Sequence, residues 1–253
     1  MWFKKWKEKR KARKSKRAAI NMNETSRDIQ SPPETRYTED YKEYIDSQYG
    51  GAPADNSIPL REMPSEEEKK DEVKMDNNVN VAALQNLLGR RSIRKYDTER
   101  QVPKELLHAV LLAGQYAPTA MGKQSPKIVV VQNKEVRDCI SEMNDEVWGR
   151  GIDPFYGAPT IIVVFADSNI PTYVQDGSLV LGNMMNAAHA VGLGSCWINR
   201  AREVFQTEKG KELMAKWGLG ENYIGVGNLA LGFAVGDDPK PAPRKEDYIV
   251  FDE

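Results

Sequence analysis

From residue 79 onward, apolar side chains recur in two alternating rhythms, one helical and one extended. The stretch VNVAALQNLLG places apolar residues at helical spacing and stops at a glycine. VPKELLHAVLLAGQYAP opens with Pro103 near a first helical turn and ends ahead of Pro118. KEVRDCISEMNDEVWG sets Val136, Cys139, Ile140 and Met143 on one face, and AREVFQTEKGKELMAKWG reads as one further helix. Between these lie the short apolar runs KIVVVQN, TIIVVFAD, SCWI and IGVGNLALGFAV, which predict four buried strands. The terminal YIVFD predicts an added edge strand. Helices alternating with such strands imply an α/β or α+β sandwich with both faces of its sheet covered.

One helix stands apart. DGSLVLGNMMNAAHAVGLG is apolar almost all round Met184 and Met185, and a helix without a polar face must be covered on all sides. In a domain of this size the easiest cover is a second copy of the chain, which predicts a dimer.

Charge separates the first 78 residues from the rest. Residues 1–20 carry ten Lys or Arg against Glu8 alone, a net of +9, with Trp2, Phe3 and Trp6 at one end. This segment is either a solvated basic tail or a helix lying on anionic lipid, which would give a weak membrane-surface contact. Residues 21–78 are acidic, poor in large aliphatics and interrupted by Pro32, Pro33, Pro53, Pro59 and Pro64, so they predict a mostly disordered linker. A short helix near TEDYKEYIDSQY could dock through Tyr41, Tyr44 and Tyr49. The organisation expected is therefore a basic segment over 1–20, a linker over 21–78 and a folded domain over 79–253.

The whole chain of 253 residues has a formal charge of -1, which points to neither nucleic acid nor membrane as a general partner. Two cysteines are too few for a disulfide framework or a thiolate-ligated cluster, and two distant histidines make a histidine metal site an unattractive reading. No run of apolar residues is long enough to span a bilayer, and no apolar segment follows the opening charges as in a secretory signal. The expected location is the cytoplasm.

Familiar catalytic patterns fail in turn. APTAMGKQS has Ala117 where a phosphate-binding loop needs glycine, and Gln124 where it needs Ser or Thr. GLGSCW puts Trp197 where a dinucleotide fingerprint needs its third glycine. GVGNLA has the spacing, but its glycines lie inside a strand pattern. His108 reads as a surface residue, His189 as an interior one and Cys139 as a core thiol. No side-chain nucleophile with its base is visible.

What remains is GRRSIRKYD, where Arg90, Arg91, Arg94 and Lys95 fall within six residues around Ser92. Such a cluster is either a solvated bend or an anion site. Its position after a helix stop lets the side chains converge, and arginine forks and a hydroxyl both suit phosphate oxygens. A second cationic stretch, PKPAPRKEDY, lies near the far end.

In this order, RRSIRKY, APTAMGKQSP, FYGAPTIIVVFAD, DGSLVLGNMMNAAHAVGLGSCWI and PAPRKEDYIVF resemble the FMN-dependent nitroreductases, from about residue 80 onward. The resemblance implies an α+β fold: a three-layer α-β-α sandwich, homodimeric, with FMN at the subunit interface. It also implies that Arg90, Arg91, Ser92 and Arg94 contact FMN. The outer arginine and serine would face the phosphate and ribityl chain, and Arg94 the pyrimidine edge of the ring. Pro118, Thr119 and Gln124 would approach the flavin from the partner subunit. Cys196, Trp197, Ile198, Asn199 and Arg200 would pass the isoalloxazine with backbone amides towards N5, and Arg244 and Lys245 would reach the phosphate. The chain departs from the family where Gly122 replaces a frequent Asn, and where Ser125 and Pro126 replace Pro-Trp.

The implied reaction passes hydride from NAD(P)H through the flavin to a small, electron-poor acceptor such as a nitroaromatic or a quinone. No catalytic side chain is then required. The competing expectations are reductive dehalogenation or azoline oxidation on the same fold, or a tethered flavin-binding module with little turnover.

Overall fold

The computed structural model describes residues 81–252. The basic segment 1–20, the linker 21–78 and its tyrosine-bearing helix lie outside the described residues. In chain order the elements are α1 (Val81–Gly89), α2 (Lys104–Gln115), β1 (Pro126–Val131), α3 (Lys134–Trp148), β2 (Thr160–Asp167) and α4 (Tyr173–Ala190). They continue with β3 (Gly194–Ile198), α5 (Ala201–Gln206), α6 (Glu208–Lys216) and β4 (Tyr223–Gly232).

The four strands form one sheet in the order β1-β2-β4-β3, with every pairing antiparallel. The fold is therefore α+β. Within TIIVVFAD the six residues from Ile161 to Ala166 are all apolar because β2 is internal to the sheet and covered on both faces. Ile161 through Ala166 have no exposed surface.

The two covering layers can be read from β4. Successive strand residues point to opposite faces. A Cβ on Gly225 would stand 2.7 Å from the carbonyl of Ala201 in α5, whereas Val226 packs against Gly177 in α4, at 2.7 Å from the Cβ a larger residue would carry there. A register shift at Val164/Phe165 bulges β4 at this point, so Gly227 also turns towards α4 and meets Leu181. Helices thus lie on both sides of the sheet. On the α5 side Phe165, Phe205 and Trp217 form an aromatic cluster, Phe165 and Phe205 meeting edge to face at 4.8 Å. On the other side α2 packs on α4, with Gly114 against Met184. Cys139 is buried in α3 and His108 is exposed on α2, both as expected.

Two sequence expectations need correction. The helix expected over 201–218 is two helices, because Thr207 is extended (φ -69°, ψ 157°). It caps α6 by accepting from the Gly210 amide while its hydroxyl donates to the Val204 carbonyl. The terminal YIVFD forms no strand in this chain: a turn at Glu246–Tyr248 is followed by exposed residues, Phe251 at 77%. Among the described residues no strand offers it a ladder. Within one chain α4 buries Val180, Leu181 and Met184 and leaves Val174 and Leu179 each 47% exposed, so part of its apolar surface is left for other cover.

Candidate anion and ring-binding site

The basic stretch begins where α1 stops. A Cβ at Gly89 would lie 3.0 Å from His189 Nε2, so the end of α1 abuts the end of α4. Arg91 folds back over this end, and its Nη1 donates to the carbonyls of Leu88, Gly89 and Arg90 at 2.6, 3.0 and 3.0 Å. Cationic donors at a helix C-terminus satisfy its unpaired carbonyls. The chain then runs extended beside β3. Ser92 bridges Ser195, the Ile93 amide donates to the Ser195 carbonyl at 2.9 Å, and Tyr96 bridges Ala234. Gly194 leaves room for Ile93, whose side chain would be 3.0 Å from a Cβ there.

This stitching brings Ser92, Arg90 and Arg94 to Cys196 on β3. Burial pushes the Cys196 thiol up; the charge of Arg94, the Ser92 hydroxyl and the charge of Arg90 pull the other way without cancelling it. Arg94 is exposed, and its Nη1 donates to the Ser92 carbonyl at 3.3 Å. Arg90 is the unusual member: its Nη1 is buried and has no hydrogen-bond partner. A buried donor left unpaired costs about 1–3 kcal/mol, and an anionic oxygen would recover that cost.

Beyond Cys196 the strand leads into a pocket of about 160 Å³, lined by Trp197, Ile198, Asn199 and Arg200 with Trp148, Pro154 and Tyr156. Two interior amides fix its floor. Asn144 of α3 donates to the Asn199 carbonyl at 2.9 Å and accepts from Arg200 Nε at 2.9 Å. Asn228 of β4 donates to the carbonyls of Ile198 and Asn199 at 3.1 and 3.3 Å. Arg200 lies over the Trp148 ring at 4.5 Å.

The loop bearing Pro118, Thr119 and Gln124 is anchored elsewhere. Asp176, in the first turn of α4, accepts from the Ala120 amide and the Ser125 hydroxyl, and Thr119 Oγ1 accepts from the Gln124 amide. Pro118 and Gln124 are exposed. Gly122 has φ +65°. Glycine and asparagine are the residues most at ease there, so the replacement of Asn keeps the backbone while removing the side chain. Arg244 and Lys245 are also exposed and make no side-chain hydrogen bond or ion pair among the described residues. Within one chain, then, the arginine cluster and β3 converge, whereas the 118–124 loop and the C-terminal cations do not join them.

Strain marks the same places. The four non-glycine residues with left-handed backbone among the described residues are Met121 and Gln124 in the loop, and Tyr156 and Arg200 in the pocket. The sequence reading missed Asn144, Trp148, Tyr156 and Asn228. Asn144 and Asn228 did carry a signal: each is an amide inside an otherwise apolar face or strand. Trp148 and Tyr156 carried none, being ordinary residues at a helix end and in a turn.

Comparison with known proteins identifies the family. The family model described as "Nitroreductase family" matches residues 87–226. A protein of Archaeoglobus fulgidus provisionally named NADH dehydrogenase/NAD(P)H nitroreductase is 32% identical over 175 residues, covering 67% of this chain and 91% of its own. A protein of the same name from Methanothermobacter thermautotrophicus is 35% identical over 130 residues, 49% of this chain; the match spans 65% of that relative, just under two thirds. Among solved structures, a nitroreductase with bound FMN from Bacteroides fragilis superposes with a TM-score of 0.61 at 27% identity, covering 68% of this chain and 98% of its own. The chain belongs to the nitroreductase family.

Proposed function

We propose that this chain is an FMN-dependent NAD(P)H oxidoreductase acting on a small, electron-poor acceptor of the nitroaromatic or quinone kind. The observation that carries the reading is the buried, unpartnered Arg90 Nη1 beside Ser92 and Arg94, in a chain of the nitroreductase family. The donor set fits a phosphate-bearing group: a fork with an open donor, a hydroxyl and a second cation. The B. fragilis relative holds FMN.

The chemistry that FMN would supply when bound is two-electron transfer between NAD(P)H and the acceptor. The residues of this chain bind and orient. Arg90 and Ser92 hold the phosphate end. Arg94 would supply positive charge beside the ring, and the carbonyl clamps of Asn144 and Asn228 keep the backbone of 198–200 rigid where it would face the ring. Arg91 commits Nη1 to the end of α1, so its part is to fix where that helix stops. Trp148, Trp197 and Tyr156 wall the pocket beyond that backbone, where an acceptor would enter.

A homodimer goes with this reading. It is supported by an apolar surface left open on α1 (Leu87, Leu88), α4 (Val174, Leu179) and the tail (Ile249, Val250, Phe251). A partner subunit would bring Pro118, Thr119, Gln124, Arg244 and Lys245 to the flavin. Two free, buried thiols accord with a cytoplasmic location. No helix among the described residues is long and apolar enough to cross a membrane.

The test is spectroscopic. The purified protein should be yellow and release fluorescent FMN on heating, and NADH or NADPH should bleach its flavin band under anaerobic conditions. A colourless protein that takes up no FMN refutes the reading. A flavin that stays oxidised with both donors leaves the module or another flavin chemistry.

A further inference from the structure

The pocket at the end of β3 contains a cation in an unusual setting. Arg200 takes a left-handed backbone (φ +73°), a conformation that long side chains rarely adopt. Its guanidinium is nevertheless placed with care: Nε donates to the Oδ1 of fully buried Asn144, and the plane lies 4.5 Å from the centre of the Trp148 ring. Asn144 is itself locked, since its Nδ2 is bound to the Asn199 carbonyl. The two Nη groups find no acceptor among the described residues. Glu203 and Asp145 are close enough to feel the charge, but neither comes within ion-pair distance. A second cation, Arg150, lies 5.3 Å from the centre of the same Trp148 ring. Arg200 is thus held from behind, with its fork left open in a pocket walled by Trp148, Tyr156 and Trp197.

Size and chemistry together define an occupant. A cavity of about 150 Å³ takes a benzene-sized molecule, so 160 Å³ takes one six-membered ring. The aromatic walls suit a flat face, and an open guanidinium suits a planar oxyanion. We propose that Arg200 makes this pocket selective for acceptors whose aromatic or quinonoid ring bears a carboxylate, with Asn144 as the residue that positions the guanidinium. The inference rests on the flavin reductase reading and adds the class of acceptor.

Two matched pairs test it. Benzoate and benzamide are alike in shape and inert to reduction, so calorimetry on the purified protein reads binding without turnover. 4-Nitrobenzoate and 4-nitrobenzamide read kcat/KM in the FMN-loaded protein. A charge-assisted fork should favour the carboxylate on the order of ten- to a hundredfold in both pairs. Arg200→Gln should bring both ratios close to one. Arg200→Lys should restore only part, because an ammonium cannot form the fork or stack on Trp148. A ratio near one in the unsubstituted protein overturns the proposal without any variant. So does an Arg200→Gln protein, folded by thermal melt, that keeps the preference or instead changes its choice between NADPH and NADH. If the protein is bleached by NAD(P)H but treats both members of each pair alike, this inference fails alone. If it holds no flavin, the wider reading fails, while the benzoate–benzamide ratio still decides this one.

Discussion

At Arg90 a charged donor sits buried with nothing to donate to. Removing it should therefore cost the bare fold little and the loaded protein much. Arg90→Ala should weaken FMN binding on the order of ten- to a hundredfold, the value of one charge-assisted hydrogen bond, while its melting point without FMN holds or rises. Fluorescence titration and a thermal melt read the two halves. Asp153 shows the opposite logic. Burial alone would raise its carboxyl, but the Arg137 guanidinium, the Ser141 hydroxyl and the amides of Phe155 and Gly157 outweigh it and hold it below the ordinary 3.8. A group lowered on folding stabilises the fold above its unfolded value, and the contribution fades as pH drops through the folded one. Melts should therefore weaken below about pH 4. Asp153→Asn should lose about 2–3 kcal/mol at neutral pH and much of that acid dependence. The convergence of Arg90, Ser92 and Arg94 was legible in the sequence because these residues are neighbours along the chain. The pocket was not, because Asn144, Tyr156 and Arg200 are brought together only by folding.

At the scale of elements, runs whose apolar period matched their surroundings were legible to within a few residues. TIIVVFAD is β2 as expected, and KEVRDCISEMNDEVW is α3, closed by Gly149 in the left-handed region at φ 74°. The errors came where local chemistry overrides the period. AREVFQTEKGKELMAKWG keeps a helical rhythm straight through Thr207, yet Thr207 and Gly210 form a cap that starts a new helix. The glycine is obligatory: any Cβ there would strike the Val204 carbonyl and the Phe205 backbone. Gly210→Ala should cost about 1–3 kcal/mol through overpacking, seen as a lower melting point. The nearby Gly218→Ala meets no neighbour but has a positive φ, so any loss there comes from backbone strain alone. The tail failed for another reason: YIVFD has the composition of a strand, but composition does not say which strand will pair with it.

For the whole molecule, the open apolar surfaces of α1, α4 and the tail make the strongest demand. Leu179 is 47% exposed on a helix whose other side is buried. Leu179→Asp would put an unpaired carboxylate on each side of the proposed interface. It should weaken dimerisation on the order of a hundredfold or more, read as a halved mass in light scattering, with flavin lost in parallel. A variant that stays dimeric and yellow would place the interface elsewhere.

The segment carrying Arg90, Ser92 and Arg94 is fastened to the outermost strand, β3, and to the chain after β4. The bonds are three: Ile93 to Ser195, Asp97 to Phe233 and Val235 to Lys95. Whatever grips those side chains also grips the border of the sheet. By mass action the two events share one equilibrium: occupancy closes the border, and a frayed border releases the occupant. Cofactor retention in this chain is thus a gauge of how firmly its last rung is shut.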